Sequence, residues 1–361
     1  MAWLGGLAAI VLAASCLVGA ADALAAAETP LPNGGRPLEK TAFPAIADWS
    51  TLKIGLQRTA CFGRCPVYTV EIGADGTVRF KGRAFVALTG RHEAKIPVAA
   101  VRGLYDAFAK ADFFWTFDKY TSRITDQPTT IVTLSYDGRT KQVSDYKGTS
   151  VGMPVEITEL ENAIDAAADT PRWVTGGKDP FATLQAEGWD FHATDDEHLG
   201  LLATAAGRGD ADFVRKLLAA GVSPKTYFGC KALAASAFAR NGEIFGTLLE
   251  AGAPVHWDAP KGEESKNCDA LMATASSGFV DFVRVVLGYH PDVNWRDRTG
   301  ATALMRSRNP KVIEALLAAG ADPWLVDKAG RNAFDIVSQG GAGKDGAAVL
   351  QRWMAEHPKP F

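Results

Sequence analysis

Six residue groups in this sequence have types and spacing that could do chemistry. Cys61 and Cys65 stand four apart with Gly63 between them, so they can close a local disulfide or act as a redox pair. A strand pattern follows them where a helix N-terminus would be needed to activate a thiol, and structural bridging is the expectation. Cys230 and Cys268 each lie two residues before an Ala-Leu pair. They bond only if the chain between them bends, because stacked helical units space equivalent atoms about 10 Å apart and a disulfide needs Cα atoms within about 7 Å. Gly148-Thr149-Ser150-Val151-Gly152 matches the Gly-x-Ser-x-Gly nucleophile elbow, but no acid and His follow in the same unit. Gly340-Gly341-Ala342-Gly343-Lys344 approximates a phosphate loop and lacks its first Gly and its final Ser or Thr. The histidines at 92, 192, 198, 256, 290 and 357 show no metal-ligand spacing. Aromatics with an arginine, at Tyr227, Phe228, Trp257, Trp295, Arg296 and Trp324, fall between helical segments and offer the large, few-rotor side chains that dominate protein interfaces. They either cap their own helices or form a partner surface, and the latter is the expectation. No catalytic residue, metal or cofactor is expected.

The positioning elements separate into two halves. Lys53 to Arg58, Val67 to Ile72, Val78 to Lys81 and Thr130 to Tyr136 alternate polar and apolar, as half-buried strands do, with turns at Asp75-Gly76 and Asp137-Gly138. Pro97 to Ala111 and Pro154 to Ala168 carry apolar stripes at helical spacing. An α+β domain over residues 50–175 follows, a meander sheet covered on one face by two helices. In the second half, Leu217-Leu218, Leu248-Leu249, Val286-Leu287 and Leu316-Leu317 recur at spacings of 31, 38 and 30 residues. Each is preceded by a second short helix signal, so the expectation is an all-α solenoid over 192–356, reached through a connector at 176–191, with Leu218, Leu249, Leu287 and Leu317 inside. The long spacing marks an insertion near Asp258 to Lys266, read as a polar finger.

Gly300-Ala301-Thr302-Ala303-Leu304-Met305 and Gly320-Ala321-Asp322-Pro323 resemble the opening and closing of an ankyrin repeat, with four recognisable copies and a degenerate fifth from Gly330. That resemblance implies a binding wall. Cys61-Phe62-Gly63-Arg64-Cys65-Pro66-Val67-Tyr68 resembles the Cys-Phe-Gly-x-Cys-Pro-x-Tyr signature of an uncharacterised bacterial domain family, which implies a fold and no activity.

Over 361 residues, 38 Lys and Arg balance 41 Asp and Glu with no long run of one sign, which disfavours nucleic acid as a partner. Residues 1–21 lack charge and end before small residues, so 1–27 reads as a cleaved export signal and 28–49 as a Pro-rich linker. Lipidation at Cys16 and an uncleaved anchor are the alternatives; no membrane span is expected in the mature chain. The functional expectation is a non-enzymatic periplasmic or secreted protein that binds a protein partner. The alternatives are an N-terminal enzyme or enzyme inhibitor targeted by the repeats, and a secreted effector.

Overall fold

A computed structural model describes residues 41–339 and 343–359. The export signal, Cys16, the first part of the linker and Gly340 to Ala342 lie outside the described residues. A sheet domain forms first. Its strands are β1 (Lys53–Arg58), β2 (Val67–Gly73), β3 (Thr77–Ala84), β4 (Gly90–Lys95), β5 (Lys119–Thr121), β6 (Thr130–Tyr136) and β7 (Arg139–Tyr146). They build one seven-stranded sheet in the order β4-β3-β2-β1-β6-β7-β5, antiparallel except for the pair β5 and β7. The sheet is thus larger than the four strands expected and mixed, and only β1 to β4 run as a meander. Strands β4 and β7 escaped notice because the first turns only His92 fully inward and the second only Val143, too few apolar residues to register as alternation.

Helices α1 (Val98–Lys110) and α2 (Val155–Ala168) cover one face. Their stripes Val101, Leu104, Phe108 and Ile157, Leu160, Ile164 are buried against Ile54, Leu56, Val70, Ile72, Val132 and Leu134. Each such side chain contributes on the order of 1.5–3 kcal/mol. The opposite face carries Lys53, Gln57, Glu71, Arg79, Lys81 and Glu93 around an open concavity of about 630 Å³.

Two short helices, α3 (Pro171–Val174) and α4 (Pro180–Ala186), lead to the helical half. The connector is a weld rather than a tether. Buried His92 of β4 places Nδ1 2.7 Å from Glu187 Oε2 and stacks on Trp189, while the Trp173 Nε1–H donates to Glu187 Oε1 at 2.6 Å.

The helical half comprises α5 (Asp196–Arg208), α6 (Ala211–Ala219), α7 (Tyr227–Phe238), α8 (Gly242–Glu250), the ribbon β8 (His256–Trp257) with β9 (Cys268–Asp269), α9 (Ala270–Ser277), α10 (Val280–Leu287), α11 (Ala303–Arg306), α12 (Pro310–Ala318), α13 (Ala333–Val337) and α14 (Lys344–Glu356). First helices stack as α5, α7, α9, α11 and α13, and second helices pack as α6 on α8 and α10 on α12. Equivalent bonds repeat along the stack. The Asn241 amide donates to Gly209 O at 3.3 Å and the Asn309 amide to Gly278 O at 2.8 Å. The innermost side chains are Leu217, Leu248, Val286 and Leu316, all 0% exposed. Each lies one residue before the expected one; of those expected, Leu249 and Leu317 are buried, whereas Leu218 and Leu287 are only half-buried because the helix turns them towards the rim of the stripe. No described helix is long and apolar enough to cross a membrane.

Candidate functional site

The aromatic set expected to face a partner divides on its placement. Tyr227 and Phe228 form the first turn of α7 rather than a loop, edge to face at 5.1 Å. Phe228 packs on the core, whereas Tyr227, Trp257, Trp295 and Trp324 are half-buried and fall outside that cluster. Arg296 is not a free donor. Its Nε–H donates to Gly300 O at 3.1 Å and its Nη2 to Val326 O, so it joins two successive turns of the stack. These turns repeat: Asp297 and Asp327 each accept two backbone N–H groups and each precedes a Gly at positive φ by three residues.

Around the insertion the side chains converge. His256 sits between two carboxylates, Nδ1 3.1 Å from Asp269 Oδ2 and Nε2 3.0 Å from Asp258 Oδ2. The Trp295 indole meets the imidazole edge-on at 5.0 Å and its Nε1–H donates to Asp258 Oδ1 at 3.3 Å. Burial works against a charged imidazole, but hydrogen bonds to Asp258 and Asp269 outweigh it and hold His256 above the ordinary histidine value. Asp258 is held low by the same contact, while burial raises Asp269. The insertion does not project freely. Lys266 turns back to Asp196 at the start of α5, 3.0 Å away, and Cys230 is disulfide-bonded to Cys268 of the ribbon with Cα atoms 6.1 Å apart. The ribbon supplies the bend that an unmodified helix stack lacks.

A second polar cluster, which the sequence reading missed, lies where β1 and β2 meet α2. Arg58 Nη2 contacts Asp165 Oδ2 at 2.8 Å; Tyr68 Oη and Thr170 Oγ1 both donate to Asp165 Oδ1 at 2.7 Å. Burial, then the Asp165 charge, pushes the Tyr68 phenol well above its usual value. Glu161, one turn before Asp165, is buried with Arg58 4.0 Å away, feels the charge of Asp145, and leaves Oε1 without a partner. Burial pushes its carboxyl up to about 8, and Asp145 adds to the effect against the opposing pull of Arg58. The available signal was a Glu set among the apolar stripe positions 157, 160 and 164. Between β1 and β2, Cys61 and Cys65 are joined in a disulfide with Cα atoms 5.7 Å apart. Ser150 lies in a short helical turn and donates its hydroxyl to Lys147 O at 2.7 Å.

A family model described as "Domain of unknown function (DUF6438)" matches residues 52–168, which is the sheet domain with α1 and α2. The bovine (Bos taurus) protein named mitochondrial disaggregase is 47% identical over 70 residues, 19% of this chain and 10% of that protein. The chain therefore spans about a tenth of the length of that curated relative.

Proposed function

We propose that this chain is an exported, non-enzymatic protein whose helical half is an ankyrin-type solenoid that binds a protein partner. The observation that carries the reading is the repeated stacking of helix pairs, with the same Asn-to-Gly carbonyl bond at equivalent turns. Each pair buries its apolar stripe against its neighbours, and what remains is an extended wall suited to contact rather than to enclosing a reaction. Tyr227, Trp257, Trp295 and Trp324 stand outside the packed core and supply the contact area. Export is supported by two disulfides, a pairing that persists in oxidising compartments, together with the uncharged start of the chain. The stretch shared with the disaggregase is a small part of that protein, and no disaggregating activity is carried over from it. The test is a photo-crosslinking amino acid placed at Trp257, at Trp324 and, as a control, at Arg352 of α14 in cells exporting the protein. Adducts to one protein from the first two positions and not from the third support the wall; adducts from the third alone, or from none, contradict it.

A further inference from the structure

The exposed ring closed by Cys61 and Cys65 belongs to no part of the proposed wall. Its Phe62 is 88% exposed, an unusual position for a large apolar side chain in a rigid loop. The ring is braced twice, by the disulfide and by Gly63 at φ +153°, a conformation other residues rarely adopt. Next to Gly63, Arg64 lines a groove of about 380 Å³ between the sheet domain and α5, together with Arg83, Phe85, Thr89, Thr204 and Arg208. No Asp or Glu lines it. Among the described residues neither Arg64 nor Arg83 has an ion-pair partner, and Arg208 spends one nitrogen on Thr175 O at 3.0 Å.

Phe85 adds an independent mark. It holds φ +54°, a left-handed conformation that is rare and costly for a bulky residue, while its ring is 50% exposed. The neighbours enforce this: Val86, Ala87 and Leu88 are fully buried, and the Ala87 and Leu88 N–H groups donate to Val174 and Trp173 carbonyls, both at 2.9 Å. A fold that pins three residues inward and turns a fourth outward presents that ring at fixed orientation beside two unpaired guanidiniums. Such a pairing of preformed apolar anchors with uncompensated arginines is complementary to carboxylates flanked by apolar side chains.

We propose that the groove between Arg64, Arg83 and Arg208, with Phe85 at its rim, docks an extended acidic and apolar peptide segment of a protein partner. Its concave shape between the sheet domain and α5 favours a peptide over a bilayer, against which only a flat or convex surface would seat. The proposal does not depend on the helical wall. The test uses the oxidised full chain and two fluorescein-labelled ten-residue peptides, one alternating Glu and Leu and one alternating Lys and Leu, read by fluorescence anisotropy at low salt. The acidic peptide should bind, weaken at least tenfold in Arg64→Glu/Arg83→Glu and at least fivefold in Phe85→Asn, and be unaffected by Trp257→Ala/Trp324→Ala or by Arg352→Glu. Equal binding of both peptides overturns the proposal, as does full binding by the Arg64→Gln/Arg83→Gln variant. Vesicles of phosphatidylglycerol that capture the protein through the same arginines while the acidic peptide does not bind overturn it in favour of a membrane surface.

Discussion

Replacing Glu161 by Gln should change how stability depends on pH, and the size of the change follows from its surroundings. In the folded chain the carboxyl is buried beside Asp145 with one oxygen unpaired, and its value stands at about 8 against 4.5 for an ordinary glutamate. Its folded value is the higher one, so the fold prefers the protonated group. The stabilisation is complete below the unfolded value and disappears as pH rises through about 8. At about 1.4 kcal/mol per pH unit, the ionised fold is disfavoured by on the order of 5 kcal/mol at alkaline pH, of which roughly 3 kcal/mol is already lost by pH 7. Glutamine keeps the shape and an N–H to offer Asp145, and it does not titrate. Urea unfolding of both proteins from pH 5 to pH 9 isolates the group and the neighbours coupled to it, because the titration of distant groups cancels in the difference. The Gln variant should gain steadily on the parent as pH rises, by about 3 kcal/mol or more between the two ends. A difference that stays constant within about 0.5 kcal/mol refutes the reasoning, and with it the burial of a carboxyl with one unpaired oxygen where β1 and β2 meet α2.

Three further outcomes follow. Mature protein lacking residues 1–27 and purified without reductant should show no free thiol on alkylation under denaturing conditions, and Cys230→Ser/Cys268→Ser, which opens a loop of sequence separation 38, should lose about 4 kcal/mol in denaturant unfolding; two reactive thiols in the parent contradict this. Arg296→Ala should lower the thermal midpoint by several degrees, because its guanidinium ties two turns of the stack, whereas Trp324→Ala should shift the midpoint little; the reverse order contradicts the placement of both. The His256 clamp is held above the ordinary histidine value, so its contribution is complete below that value and fades as pH rises through the folded one. Hydrogen exchange in residues 258–266 should accordingly speed up at alkaline pH beyond the intrinsic base-catalysed rate, and an His256→Asn variant should show no such extra step.

Sequence patterning revealed the strands and helices whose apolar content is high enough to show a period. Strands β1, β2, β3 and β6 each turn at least two apolar residues into the core, and α1 and α2 each carry a full stripe. Strands β4, β5 and β7 were not legible because their backbone pairing, not side-chain burial, holds them: β4 buries only His92, β7 only Val143 and β5 only Tyr120. The cysteine pairs were read from local spacing and from equivalence in consecutive repeats, and both pairs are joined. What joins residues far apart in sequence was invisible. Arg58 meets Asp165 across 107 positions and His92 meets Glu187 across 95, distances at which no local pattern survives. Arg296 shows the converse limit: its residue type suits a partner's carboxylate, yet the backbone carbonyls of its own fold claim it.

The central claim is that the helical wall, through Trp257 and Trp324, holds a protein partner. It is tested most directly by titrating the crosslinked partner, once identified and purified, into the parent and into Trp257→Ala/Trp324→Ala by calorimetry. The double variant should retain its thermal midpoint and bind at least thirtyfold more weakly, a loss of about 2 kcal/mol. Unchanged affinity in a folded double variant would contradict it and remove the wall as the binding surface.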